Sequence, residues 1–171
     1  MFDAKHDGRH RATLVADEHL PNVPLSSVYS GVVLLRGIRI VLFIDELNML
    51  ESWGTCIRNA CSEAFTKEKV CMIAGPEFGP LQGNTSLINK VSYGIRTSGL
   101  TWHERLSDSL SEMGHKPWKM EPDMWLRDCG EYCEHIAFWA DDLIMNSKDP
   151  QRIVDTLMSK HHFKFKGTGP M

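Results

Sequence analysis

Two adjacent carboxylates at the end of an apolar stretch are the side chains in this sequence that are best suited to chemistry. Asp141 and Asp142 lie within Ile136–Ile144, where apolar residues precede and follow them. Like charges this close repel each other, so holding them together is costly unless a cation neutralises them. Apolar strands on both sides would present hard oxygen ligands to a divalent metal ion, as phosphoryl-transfer chemistry requires. A solvated turn in which the aspartates cap a hairpin fits these residues equally well.

The cysteines suggest a zinc site as another possible centre. The pairs Cys56-x4-Cys61 and Cys129-x3-Cys133 precede His161-His162 along the chain. Structural zinc sites use tighter and more regular spacing than this. The total of five cysteines is odd, which also argues against a framework of disulfide bonds. Free thiols, buried or half-buried, are therefore predicted.

The composition predicts a folded protein that neither coats nucleic acid nor crosses a membrane. Of the 171 residues, 42% are hydrophobic and 24% are charged, which is enough apolar material for a core. The net charge is −3, whereas a protein that only coats nucleic acid is strongly basic. The most apolar stretch, Gly31–Ile44, is interrupted by Arg36 and Arg39 and is too short for a membrane span. The N-terminus lacks the apolar segment of a secretory signal, so we expect an intracellular location, cytoplasmic or nuclear.

The elements that must position the aspartates alternate between helices and antiparallel strands, which predicts an α+β fold. Apolar spacing predicts helices over 34–50, over 102–113 with Gly114 as the stop, and after Asp149 as the N-cap. The inner face of the last helix is predicted to consist of Ile153, Val154, Leu157 and Met158. Strands are predicted for a hairpin within 2–16 and for 53–60, 70–74, 132–140 and 143–145. The last two strands place Asp141 and Asp142 in the turn between them.

The sequence resembles the reverse transcriptase domain of copia-type LTR retrotransposons over nearly its whole length. Trp139-Ala140-Asp141-Asp142 stands where that family has Tyr-x-Asp-Asp. The other similar segments follow the family's order, and they are Asp7-Gly8 with Arg11–Ala16, Val70–Phe78, Asn89–Arg96 with Trp102, and Phe163–Gly167. A shared order of several segments is a specific signal, although each segment alone is not.

The resemblance implies a fold, an activity and partners. It implies a polymerase palm at residues 51–171, with an antiparallel sheet packed on helices, and a partial fingers hairpin within residues 1–50, without a thumb or an RNase H region. The activity would be RNA-directed DNA polymerisation, in which two Mg²⁺ ions activate the primer hydroxyl and hold the triphosphate. The partners would be an RNA or DNA primer–template, deoxynucleoside triphosphates and the remainder of a polyprotein.

The resemblance also identifies the metal ligands and one departure from them. The family holds its ions with three carboxylates, of which two correspond to Asp141 and Asp142. The third carboxylate falls at Cys56. A thiol is a poor ligand for a hard cation, so this substitution predicts weakened metal binding.

The positions that bind the nucleotide in the family also depart from its pattern. Lys5 and Arg11 correspond to basic positions in the fingers, whereas Thr13 replaces the arginine that contacts the triphosphate. Cys61 replaces an aromatic residue that packs under the nucleotide sugar. Together with Cys56, these substitutions predict that polymerase activity is absent or greatly reduced, as in a pseudoenzyme.

Two further hypotheses remain open at the level of sequence. A non-catalytic nucleic-acid-binding module would use Lys160–Lys166, where aromatic residues alternate with basic ones. The same alternation is typical of a strand with one charged, solvated face. A functionless remnant of a transposon polyprotein is also compatible with the substitutions.

Overall fold

The computed structural model of the chain describes residues 2–4, 8–12, 15, 28 and 30–171, with residues 2, 3, 11 and 12 described by their backbone alone. The chain divides into two compact units, one of residues 1–29 and 61–102 and the other of residues 30–60 and 103–171. The predicted division at residue 50 between fingers and palm does not coincide with these units and stays a prediction.

Helices and strands alternate through the described residues, and this confirms the predicted α+β fold. The helices are α1 Leu35–Leu47, α2 Ser98–Glu112 and α3 Pro150–His161. The strands are β1 Phe2–Ala4, β2 His10–Ala12, β3 Glu51–Ile57, β4 Phe65–Ile73, β5 Thr85–Lys90, β6 Lys116–Trp118, β7 Glu121–Asp128, β8 Cys133–Trp139, β9 Asp142–Ser147 and β10 Phe165–Pro170. Short 3-10 turns occupy Ala60–Glu63 and Pro76–Leu81.

The three predicted helices are confirmed, together with two of the residues that were predicted to bound them. Gly114 adopts a φ of 87° two residues after the end of α2, a conformation that favours glycine and ends the helix. Asp149 caps α3, because its carboxylate accepts a hydrogen bond of 3.1 Å from the Arg152 amide. The prediction for Met158 is wrong, since its side chain is 49% exposed. It lies one position beyond Leu157, which rotates it away from the buried stripe.

A six-stranded antiparallel sheet carries the Asp141–Asp142 segment. The strand order is β10–β3–β9–β8–β7–β6, so both β8 and β9 lie in the interior of the sheet with a strand on either side. The strands β6 and β7 have no counterpart among the predicted strands, because Pro117 and Pro122 interrupt the alternation of apolar and polar residues. The interior position gives the hairpin a backbone that is hydrogen-bonded along both edges.

Helices α1 and α3 cover opposite faces of this sheet. Successive side chains of a strand point to opposite faces. His135 of β8 contacts Asp45 of α1, whereas its neighbour Glu134 contacts Arg152 of α3. The core on the α1 side is built from Val33, Val41, Met124 and Ala137, with Ile38 and Trp118 packed against it.

The other unit is built from two hairpins. Strands β4 and β5 pair antiparallel, and β1 pairs antiparallel with β2, which confirms a hairpin within residues 2–16. Exposed and half-buried side chains alternate along β4, so this strand is solvated on one side. No helix in the described part of the chain is both long and apolar enough to cross a membrane.

Candidate active site

The Asp141–Asp142 pair lies at a tight hairpin tip. Trp139 at the end of β8 pairs with Asp142 at the start of β9, so the loop consists of Ala140 and Asp141 alone. The prediction that both aspartates occupy the turn therefore needs one correction, because Asp142 is already a strand residue. Ala140 has a φ of 54°, a left-handed conformation that costs a residue with a side chain roughly 1–2 kcal/mol. Pairing of the flanking strands maintains this conformation and fixes the direction of both carboxylates.

Strand β3 brings Cys56 to the same place. The amide of Ile57 donates a hydrogen bond of 2.7 Å to the carbonyl oxygen of Asp141, which locks the hairpin tip onto β3. Cys56 is the register partner of Asp142, so their side chains lie on the same face of the sheet. The Cys56 Sγ donates a hydrogen bond of 3.4 Å to Oδ2 of Asp141. The two predicted metal ligands, Asp141 and Asp142, are thus brought together with Cys56, which stands at the position of the missing third carboxylate.

The Cys56 thiol is a neutral group in this environment. Burial raises its pKa to about 11, and the hydrogen bond to Asp141 and the negative charges of Asp141 and Asp142 act in the same direction. A thiolate beside two carboxylates would add a third negative charge to the same spot. At neutral pH the thiol therefore keeps its proton and donates it toward Asp141.

This set of donor atoms does not fit a pair of Mg²⁺ ions. Two carboxylates provide hard oxygen ligands, but the third position offers a protonated sulfur, which hard cations bind poorly. Asp142 is exposed and Asp141 is half-buried, so both remain accessible from solvent. Among the described residues no group of three or more His, Cys, Asp or Glu side chains is arranged to hold a metal ion.

The remaining predicted site residues do not belong to the unit that contains Cys56, Asp141 and Asp142. Cys61 belongs to the other unit, where it is half-buried in the 3-10 turn that follows β3. Lys5 and Thr13 lie outside the residues that the structure describes, and so does the side chain of Arg11, whose backbone is part of β2. The cysteines are free thiols, as predicted, but Cys71 and Cys133 are exposed and not buried or half-buried.

A buried carboxylate on α1 ties the two strands of the hairpin together. Asp45 is 0% exposed, and its Oδ1 lies 2.7 Å from Nδ1 of His135 on β8. Its Oδ2 accepts a hydrogen bond of 2.5 Å from Nδ2 of Asn146 on β9. His135 and Asn146 are register partners, so one side chain bridges directly opposite positions. This bridge fixes the register of the hairpin below its tip.

A second buried carboxylate, that of Glu134, links the hairpin strands on the other face of the sheet. Glu134 of β8 is 0% exposed. Its Oε2 lies 2.6 Å from Nη2 of Arg127 on β7, and its Oε1 lies 2.5 Å from Nη2 of Arg152 on α3. It also accepts a hydrogen bond of 2.7 Å from Ser147 of β9. Burial raises the pKa of Glu134, but the hydrogen bonds from Ser147 and Arg152 and the charge of Arg127 outweigh this and leave the pKa below its usual range. The carboxylate is therefore ionised at neutral pH.

His115 completes the surroundings of Glu134. It is 2% exposed and its Nε2 lies 3.6 Å from Glu134 Oε2. Burial lowers the pKa of His115 to about 4, and the positive charges of Arg127 and Arg152 act in the same direction, against the charge of Glu134. The imidazole is consequently neutral at neutral pH, and the cluster carries one negative and two positive groups.

Comparison with known families identifies the kind of protein to which this site belongs. The family described as reverse transcriptase (RNA-dependent DNA polymerase) matches the chain over residues 1–171. The chain belongs to the reverse transcriptase family. No curated protein and no solved structure matches it significantly.

Membership of this family gives the hairpin a chemical context. Reverse transcriptases act on nucleic acids and nucleotides and typically use divalent metal ions. In this reverse transcriptase domain, the acidic hairpin tip and Cys56 occupy one end of β3, β8 and β9. The buried residues Asp45 and Glu134 were not found from sequence, because nothing in their own segments shows which distant residues they meet.

Proposed function

We propose that the chain is the reverse transcriptase domain of a copia-type LTR retrotransposon whose RNA-directed DNA polymerase activity is absent or greatly reduced. The family match supports the general class. The Trp139-Ala140-Asp141-Asp142 segment and the order of the other similar segments support the copia type. In this proposal residues 51–171 form the palm and residues 1–50 contribute to the fingers.

The contact between Cys56 and the acidic hairpin carries the proposal of reduced activity. The thiol donates its hydrogen to Asp141 at 3.4 Å and faces Asp142 across the strand pair. Because this position supplies no oxygen ligand, Asp141 and Asp142 are the only two carboxylates proposed for metal binding. A pair of Mg²⁺ ions needs more oxygen ligands than two carboxylates at one hairpin tip provide.

The proposed partners follow from the family. An RNA or DNA primer–template and deoxynucleoside triphosphates would be the substrates, with Lys5, Arg11 and Cys61 at the positions that contact the nucleotide. Replacement of the triphosphate-contacting arginine by Thr13 would weaken nucleotide binding further, because a hydroxyl cannot neutralise phosphate charge.

The alternative function, nucleic-acid binding through Lys160–Lys166, lacks a favourable observation. Phe163 is 2% exposed and lies under the guanidinium of Arg105, whose carbon is 5.2 Å from the ring centroid. Phe165 is half-buried at the start of β10. The rings are therefore not presented for stacking on bases, and the exposed lysines fit a charged, solvated face.

Primer extension by the unmodified chain tests the proposal. We expect no detectable extension of a labelled primer on RNA or DNA templates with Mg²⁺, and at most trace extension with Mn²⁺. The matched blank is Asp141→Asn, which removes one of the two remaining carboxylates. Clear extension by the unmodified chain that is lost in Asp141→Asn would show that two carboxylates suffice, and would contradict the proposed loss of activity.

A further inference from the structure

Helix α1 has a second apolar face, beside the one that packs on the sheet. The buried face contains Gly37, Val41 and Asp45. The neighbouring face carries four large apolar side chains that are 40–68% exposed, and these are Ile40, Phe43, Ile44 and Leu47. Exposed apolar side chains are normal when scattered, but a continuous stripe along one helix is typical of an interaction surface.

The stripe has the spacing of a two-stranded helical interface. Arg36, Ile40, Phe43 and Leu47 recur at steps of four, three and four residues, which is the repeat that allows helices to pack side by side. Arg39 and Glu46 are seven residues apart and therefore lie on the same flank of the stripe, one near each end. Both are exposed.

This charge arrangement selects one partner and one orientation. When two identical helices pack antiparallel about a two-fold axis, the same flank of each helix meets its copy with the ends reversed. Arg39 of one chain then lies beside Glu46 of the other, and the reciprocal pair forms at the opposite end. In a parallel pair each residue would instead lie at the level of its own copy. Ile40 faces Phe43 of the partner in the same antiparallel arrangement, so apolar contacts and charges agree.

We propose that the exposed face of α1 binds a second copy of this chain through an antiparallel α1–α1 contact. The interface would consist of two central layers of Ile40 against Phe43, enclosed by Arg36 over Leu47 of the partner and flanked by the two Arg39–Glu46 pairs. Helix α1 has 13 residues and is about 20 Å long, so the contact is short and the dimer is expected to be weak.

Sedimentation velocity across a concentration series tests this proposal. The unmodified chain is expected to shift from monomer to dimer. Arg39→Glu and Glu46→Arg alone each replace two attractive pairs by two repulsive ones, and each is expected to raise the dissociation constant about 10-fold. Arg39→Glu combined with Glu46→Arg recreates the pairs in reversed order and is expected to restore the original constant.

Two further variants keep the test specific. Asp155→Lys reverses an exposed charge on α3, which covers the other face of the sheet from α1, and is expected to leave the dissociation constant unchanged. Phe43→Ser is expected to abolish the dimer, while circular dichroism checks that the exposed substitution leaves the fold intact. A chain that stays monomeric throughout the series would overturn the proposal. So would single charge reversals without effect, or a double variant that remains as weak as the singles.

Discussion

Replacing Cys56 by aspartate is expected to raise the rate of primer extension with Mg²⁺ from below the detection limit to at least about 100-fold above that limit, equivalent to at least about 2.7 kcal/mol of activation free energy. Asp142 is the register partner of residue 56, and Asp141 accepts the hydrogen bond of its side chain. A carboxylate at residue 56 would therefore add oxygen ligands on the same face as the two that are present. A metal ion in such a site is worth several kcal/mol to phosphoryl transfer.

Cys56→Ser is the matched control for this gain. Serine is close to cysteine in size and removes the sulfur, but it supplies no carboxylate. We expect Cys56→Ser to extend primers no faster than the unmodified chain. Equal rates for the aspartate and serine variants would contradict the role assigned to residue 56, whether both are active or both are inactive.

Removing the charge of Glu134 is expected to have the largest effect on stability. Glu134→Gln keeps the shape of the side chain but removes its negative charge. Arg127 and Arg152 then have no counter-charge at the buried end of residue 134. Breaking one side of a buried ion pair costs about 3–5 kcal/mol, and partial exposure of both arginines reduces the expected loss here to about 2–4 kcal/mol. Urea denaturation measures it. Glu131→Gln, at a 92% exposed carboxylate, is the control and is expected to change nothing measurable.

The pH dependence of stability provides a second readout of this cluster. Folding lowers the pKa of Glu134 from its ordinary value of about 4.5. The carboxylate therefore contributes fully to the free energy of unfolding above pH 4.5, and this contribution is lost as the pH falls below that value. The pKa of His115 is lowered to about 4, so the unfolded chain binds an additional proton between pH 6.5 and 4 and stability falls across that range as well. Glu134→Gln is expected to flatten the curve below pH 4.5. A stability change under 1 kcal/mol at pH 7 would contradict the importance of the cluster.

The acidic hairpin is the part of the site that could be predicted from sequence. A turn between two apolar strands is a local feature, so Asp141 and Asp142 were located within one residue of their positions in the structure. The proximity of Cys56 was implied by the family resemblance and is now seen as a hydrogen bond between residues 85 positions apart. The residue types alone did not predict the contact between Cys56 and Asp141.

The supports of the hairpin could not be predicted, because they depend on long-range pairing. Asp45 and Asn146 are 101 positions apart in the chain. In the sequence of α1, Asp45 follows an apolar stretch, and this position does not indicate a buried side chain. His135 was not assigned a role, yet its register with Asn146 places it beside Asp45. Strand order and register decide such contacts, and neither follows from the periodicity of one segment.

Binding of Mn²⁺, followed by the loss of the free-ion signal in electron paramagnetic resonance, tests most directly whether residue 56 limits the site. Three neighbouring carboxylates repel one another and recover that cost when a divalent cation binds, whereas two carboxylates and a neutral thiol gain less. We expect Cys56→Asp to bind Mn²⁺ at least about 10-fold more tightly than the unmodified chain, a difference of about 1.4 kcal/mol. Cys56→Ser should bind as the unmodified chain does. Equally tight binding by all three chains would contradict the conclusion that Cys56 disables the metal site.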